Sequence, residues 1–198
     1  MILFLEMMMN NAVVKTFYWD DVSRHKEWNR VCHGYPTKEN FYNFTEEIPD
    51  LNKDMRVLDF GCGPGRVVKT IAPNVKEYVG VDVCAGFIAM AKEHHKDYKN
   101  VSFYQCNGRD LKMFEDNSFD YLYERLVFIH VPKEWIIGYV VEFHRVLKSG
   151  GILNIPDFPR DDQNTNGFSV DEMNTLLKDF AVINFCNLGN TYVVRCIK

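Results

Sequence analysis

Residues 57–66 read Val-Leu-Asp-Phe-Gly-Cys-Gly-Pro-Gly-Arg, an apolar run that breaks into glycines at 61, 63 and 65, and no other segment restricts the fold as tightly. β-prone residues followed at once by glycines, and then by Val67, Val68, Ile71 and Ala72 at helical spacing, read as a buried strand, a tight turn and a helix. Glycine suits such a turn because it reaches positive φ without steric cost and leaves main chain bare for a ligand to approach. Asp82 lies about twenty residues downstream, ending the next apolar run Val-Gly-Val-Asp-Val, where a carboxylate can accept both hydroxyls of a ribose.

From Met55 onward, short apolar runs alternate with helical patterns, the signature of βαβ units in a parallel sheet. Strands are predicted over 56–60, 78–83, 101–106, 121–124 and 151–156. Phe87, Ile88 and Ala91 begin a second helix face, and Pro132 opens a helix over 133–147 that Ser149-Gly150-Gly151 stops. Ser169-Val170-Asp171-Glu172 reads as a capping box, with Phe168 and Met173 as its staple and Met173, Leu176, Leu177 and Phe180 as the buried stripe. Two β-rich runs, 181–186 and 191–197, flank Leu188-Gly189-Asn190 and make a terminal antiparallel hairpin. The expected fold is therefore α/β, a Rossmann-like three-layer sandwich on a mostly parallel seven-stranded sheet ending in that hairpin. Residues 1–54 are expected to form an N-terminal helical cap or lid on the domain spanning 55–198, the whole making one globular domain.

Bulk properties narrow the function. A net charge of −4, with 23 Lys and Arg scattered along the chain, gives no footprint for a phosphate backbone, so nucleic acid is not an expected partner. Cys32, Cys62, Cys84, Cys106, Cys186 and Cys196 show no paired C-x-x-C spacing, so neither a metal site nor a disulfide framework is expected, and a reducing cytoplasm fits. The apolar opening Met-Ile-Leu-Phe-Leu-Glu is too short and too interrupted for a membrane anchor.

A dinucleotide site would also use the acid on the second strand, but its G-x-G-x-x-G turn needs a glycine at Arg66, whereas here the third glycine falls at Gly65. Asp59 would also repel a pyrophosphate, while it suits an amino-acid ammonium. At these residues the sequence resembles the class I S-adenosylmethionine (SAM)-dependent methyltransferases whose first motif is D-x-G-C-G-x-G. The resemblance continues through Asp82, SFYQCNGRDL, NSFDYLYERLVFIHVP and FHRVLKSGGIL, covering Met55 to the C-terminus.

That resemblance implies a SAM cofactor, with S-adenosylhomocysteine as product. Asp59, Gly61, Cys62, Gly63 and Gly65 would surround its methionine and ribose, Asp82 would hold the ribose diol, and Val83 and Phe87 would flank the adenine. Asn107, standing where the family usually has Asp, and Gly108 would contact the adenine edge. Glu124 and Arg125 follow the fourth strand, where the family places backbone groups near the cofactor. His130, His33 and Asp157 are the candidate general bases, and Tyr18, Trp19, His25 and Trp28 candidate lid residues. Each also has a structural reading, as a packed core group or a turn residue. The acceptor is expected to be a small molecule, and the protein a monomer or homodimer without nucleic-acid or membrane partners. A protein side-chain methyltransferase, a silent SAM-binding regulator and an NAD(P)-dependent oxidoreductase are the competing readings.

Overall fold

The structure is a computed structural model, and it describes residues 48–161, 167–188 and 191–198. The expected N-terminal cap, with His33 and the aromatic lid candidates, lies almost wholly outside the described residues. Among them, no helix is long and apolar enough to cross a membrane.

The elements are β1 (Arg56–Phe60), α1 (Val68–Ile71), β2 (Glu77–Asp82), α2 (Ala85–His94), β3 (Val101–Gln105), β4 (Phe119–Glu124), α3 (Lys133–Val146), β5 (Leu147–Pro159), α4 (Val170–Leu176), β6 (Ala181–Leu188) and β7 (Thr191–Ile197). Seven strands form one sheet in the order β3-β2-β1-β4-β5-β7-β6. The β2/β3, β1/β4 and β4/β5 pairs are parallel, whereas β5/β7 and β6/β7 are antiparallel. This is the mostly parallel α/β sheet with a terminal hairpin that the alternation of runs predicts.

Two places depart from the sequence reading. The helix after the glycine turn lasts only from Val68 to Ile71 before tightening into a 3-10 turn at Ala72–Asn74, because Pro73 has no N–H to continue an α-helix. Ser149-Gly150-Gly151 does not end α3, which stops at Val146 with β5 starting on the next residue. Those residues form an irregular stretch within β5, where the pairing jumps from Phe119↔Leu147 to Tyr121↔Ile152. Gly150, at φ +78, donates its N–H to the Lys198 carbonyl, and Lys198 donates back to Gly151. Lys198 thus takes up hydrogen bonds that the local sequence leaves open. The capping box forms as read, with Ser169 Oγ accepting from Glu172 N–H and Glu172 accepting from Ser169 N–H.

By contact density the chain divides into two compact units. The first comprises, in its described part, residues 48–54 and Cys62–Gly108. Its core holds Val67, Val68, Ile71, Tyr78, Val79, Val81, Phe87, Ile88 and Phe103. The second comprises Met55–Gly61 and Arg109–Lys198. There an aromatic stack fills the interior: Phe128 lies parallel to Phe143 at 5.9 Å, Phe60 meets Phe143 edge-on at 4.9 Å, and Phe158 meets Phe128 at 5.9 Å. Such pairs contribute about 0.5–1.5 kcal/mol each beyond area burial. Through Phe128 they fix the segment that follows β4.

Candidate cofactor and active site

In the first unit the glycine turn is held by a carboxylate. Asp82, last residue of β2, accepts from the Gly63 N–H through Oδ2 at 2.9 Å and from the Cys84 N–H through Oδ1 at 2.8 Å. The Cys62 N–H donates to the Val81 carbonyl at 2.9 Å, so consecutive amides of the turn are sewn to the end of β2. Sequence reasoning gave Asp82 to a ribose and missed this bracing role.

The glycines are not equivalent. Gly63, at φ +52, has open space where a Cβ would project, so a side chain there would enter whatever the turn cradles. At Gly65 (φ +86) a Cβ would sit 2.7 Å from the His95 ring, so the third glycine makes room for a buried histidine. His95 is 3% exposed, and burial, followed by the neighbouring His94, pulls its pKa down to about 4. Nothing in Lys-Glu-His-His-Lys announces this role, because a histidine near a helix end usually reads as solvated. Cys62 is buried with its Sγ beside Gly80, where an added Cβ would lie 2.9 Å from the sulfur. Val83 is half-buried, Phe87 is buried, Asn107 is exposed, and Gly108 (φ +65) leaves space that Val83 occupies.

In the second unit, three acidic residues at the carboxyl ends of β1, β4 and β5 are buried: Asp59, Glu124 and Asp157. Glu124 is fully enclosed, and its Oε1 accepts from the N–H groups of Val127 at 2.7 Å and Phe128 at 3.0 Å. Asp157 Oδ2 accepts from the Leu126 N–H at 2.7 Å, and Leu126 sits at φ +60. These bonds pin the segment carrying Leu126, Val127 and the 3-10 turn Phe128–His130, in which His130 is half-buried. Burial, then the charges of Asp157 and Asp59, hold the Glu124 carboxyl well above the usual carboxylate range. Val127 in turn presses on Gly61 (φ +72), where a Cβ would lie only 2.0 Å from Val127 Cγ2. Arg125 is half-buried. Among the described residues, no group of three His, Cys, Asp or Glu side chains is placed to hold a metal ion.

In the first unit, the open left-handed glycine suits the close approach of a ligand to main chain. In the second unit, by itself, the buried carboxyl groups suit a cation and oppose a pyrophosphate.

Residues 58–155 match the family described as "Methyltransferase domain". Those residues thus resemble a methyltransferase domain. The chain is 31% identical over 115 residues to phosphoethanolamine N-methyltransferase 3 of Arabidopsis thaliana, a match covering 58% of this chain and 23% of that protein. It is 28% identical over 142 residues to demethylmenaquinone methyltransferase of Tropheryma whipplei (strain Twist), covering 67% of this chain and 58% of that protein. The match thus spans less than two thirds of either relative's length. A SAM-dependent methyltransferase from Aquifex aeolicus shares the fold, with a TM-score of 0.62 at 20% identity, over 92% of this chain and 96% of the other.

Proposed function

We propose that this protein transfers a methyl group from SAM to a small-molecule acceptor and releases S-adenosylhomocysteine. The observation that carries this reading is Gly63, whose left-handed backbone leaves open space in the direction a side chain would take and whose amide is fixed by Asp82. When bound, SAM supplies a methyl group already activated by its sulfonium, so the protein's task is mainly to position and to exclude water. In the first unit, Cys62, Gly63 and Gly65 would take the ribose side of the cofactor and Asp82 its diol. Val83, Phe87, Asn107 and Gly108 would take the adenine. In the second unit, Asp59 and Gly61 would take the methionine end, with Glu124 and Arg125 behind it.

A protonated acceptor would need a base, worth about 100- to 10,000-fold. His130 and Asp157 are the described candidates and His33 the third. The Asp157 carboxylate is oriented by the Leu126 amide. A small acceptor is favoured because the relatives named above carry phosphoethanolamine and demethylmenaquinone in their names.

Calorimetric titration with SAM, S-adenosylhomocysteine and NADH tests the cofactor. Micromolar binding of the two sulfur nucleosides is expected, and tight binding of NADH alone would overturn the reading. Release of S-adenosylhomocysteine over a panel of amines, phenols and thiols then tests turnover.

A further inference from the structure

Glu124 is a buried acid for which positioning a methyl group offers no use. Its Oε1 is saturated by two backbone amides, at 2.7 Å from Val127 and 3.0 Å from Phe128. Its Oε2 is equally buried and has no hydrogen-bond partner among the described residues. A buried carboxyl oxygen left in this state is costly unless a proton or a donor meets it. Among the described residues, Asp157 on β5 and Asp59 on β1 act on it electrostatically, and both raise its pKa. Three acidic groups enclosed together favour a positive guest over any neutral or anionic one. An unmet carboxyl oxygen among acidic neighbours matches a cation that brings its own N–H donors.

We propose that Glu124, with Asp59 and Asp157, receives the ammonium group of an organic cation and gives up its own proton to solvent as that cation binds. The proton that satisfies Oε2 in the free protein is replaced by an N–H of the guest, so one proton leaves for each ammonium that enters. Two sources share this chemistry: the α-ammonium of the cofactor's amino-acid tail, and an amine on the acceptor. The inference takes its probes from the methyltransferase reading above, but it concerns the charge state of one side chain and can fail by itself.

The experiment is calorimetric titration of the wild-type protein and of Glu124→Gln with S-adenosylhomocysteine, 5′-methylthioadenosine and, in the presence of S-adenosylhomocysteine, ethanolamine. Each titration is run between about pH 6.5 and 8.5 in two buffers of different ionisation enthalpy. For wild type, an ammonium-bearing probe is expected to release close to one proton and to bind up to about tenfold tighter per pH unit over the range where free Glu124 holds its proton. Glutamine keeps the Oε1 contacts and the shape but has no proton to exchange. The variant should therefore bind that probe about tenfold more weakly at the upper pH, with a flat profile.

An effect on S-adenosylhomocysteine but not on 5′-methylthioadenosine, which lacks the amino-acid tail, assigns the site to the cofactor. An effect on ethanolamine alone assigns it to the acceptor. No proton release from wild type with either amine-bearing probe overturns the inference whatever the variant does. If wild type also fails to bind S-adenosylhomocysteine, the methyltransferase reading falls with it.

Discussion

Asp82 and Glu124 are both acids ending parallel strands, yet their surroundings give them opposite characters. Asp82 is half-buried and each of its oxygens meets a backbone amide, an environment that favours the charged form and locks the glycine turn. Glu124 is fully enclosed, has amides on only one oxygen and faces other acids, an environment that favours the neutral form. The residue types are nearly the same. What differs is how many donors reach each carboxyl group and how much water remains, and this separates a fixed anchor from a proton reserve.

The sharpest way to break the comparison is Asp82→Ala. It leaves the Gly63 and Cys84 amides without their acceptor, and unmet groups of this kind cost about 1–3 kcal/mol each. SAM affinity measured by calorimetry should fall about a hundredfold when the lost diol contact is added. A change below about twofold would remove Asp82 from the cofactor site.

Next come the glycines. Gly61→Val drives a side chain into Val127 at a backbone of φ +72, so its effect falls on the fold. Overpacking of this sort costs about 1–3 kcal/mol, and thermal unfolding should drop by about 3–10 °C. Gly63→Ala meets no atom of the described residues within 4 Å, so it should cost SAM about tenfold in affinity with only the strain of a left-handed alanine, about 1–2 kcal/mol, on stability. Equal melting losses in the two variants would show that both positions are structural.

A smaller effect separates the units by pH. His95, with its pKa drawn down to about 4, is buried neutral beneath Gly65, so its contribution is whole above the ordinary histidine value. It is lost as pH falls from about 6.5 toward 4, because the unfolded chain takes up the proton first. Urea midpoints should decline over that window in wild type and much less in His95→Gln. An identical decline in both would remove His95 as the cause.

Glu124 runs the other way and gives the smallest change. Its folded pKa is raised, so its contribution is whole below the ordinary carboxylate value and is lost as pH rises toward the folded one. Glu124→Gln should therefore melt no lower than wild type at neutral pH and about 1–3 °C higher at alkaline pH. A variant that melts lower at every pH would mean that the carboxyl is ionised and needed as such.

Much of this molecule was decided locally. The strand-turn-helix around Gly61, Gly63 and Gly65, the strand ending at Asp82, the capping box at Ser169 and the terminal hairpin rest on dihedral preferences and periodicities confined to a few residues, and all are legible in the chain. Tertiary contact decided the rest. Gly65 is glycine because His95 packs against it, Gly61 because Val127 does, and β5 reaches back to Leu147 with the help of Lys198. Glu124 looked like a charged residue at a strand end, and only the burial that brings Asp59 and Asp157 around it raises its pKa. A pKa depends on solvent exclusion and on charges distant in sequence, and neither is encoded by the residue's immediate neighbours.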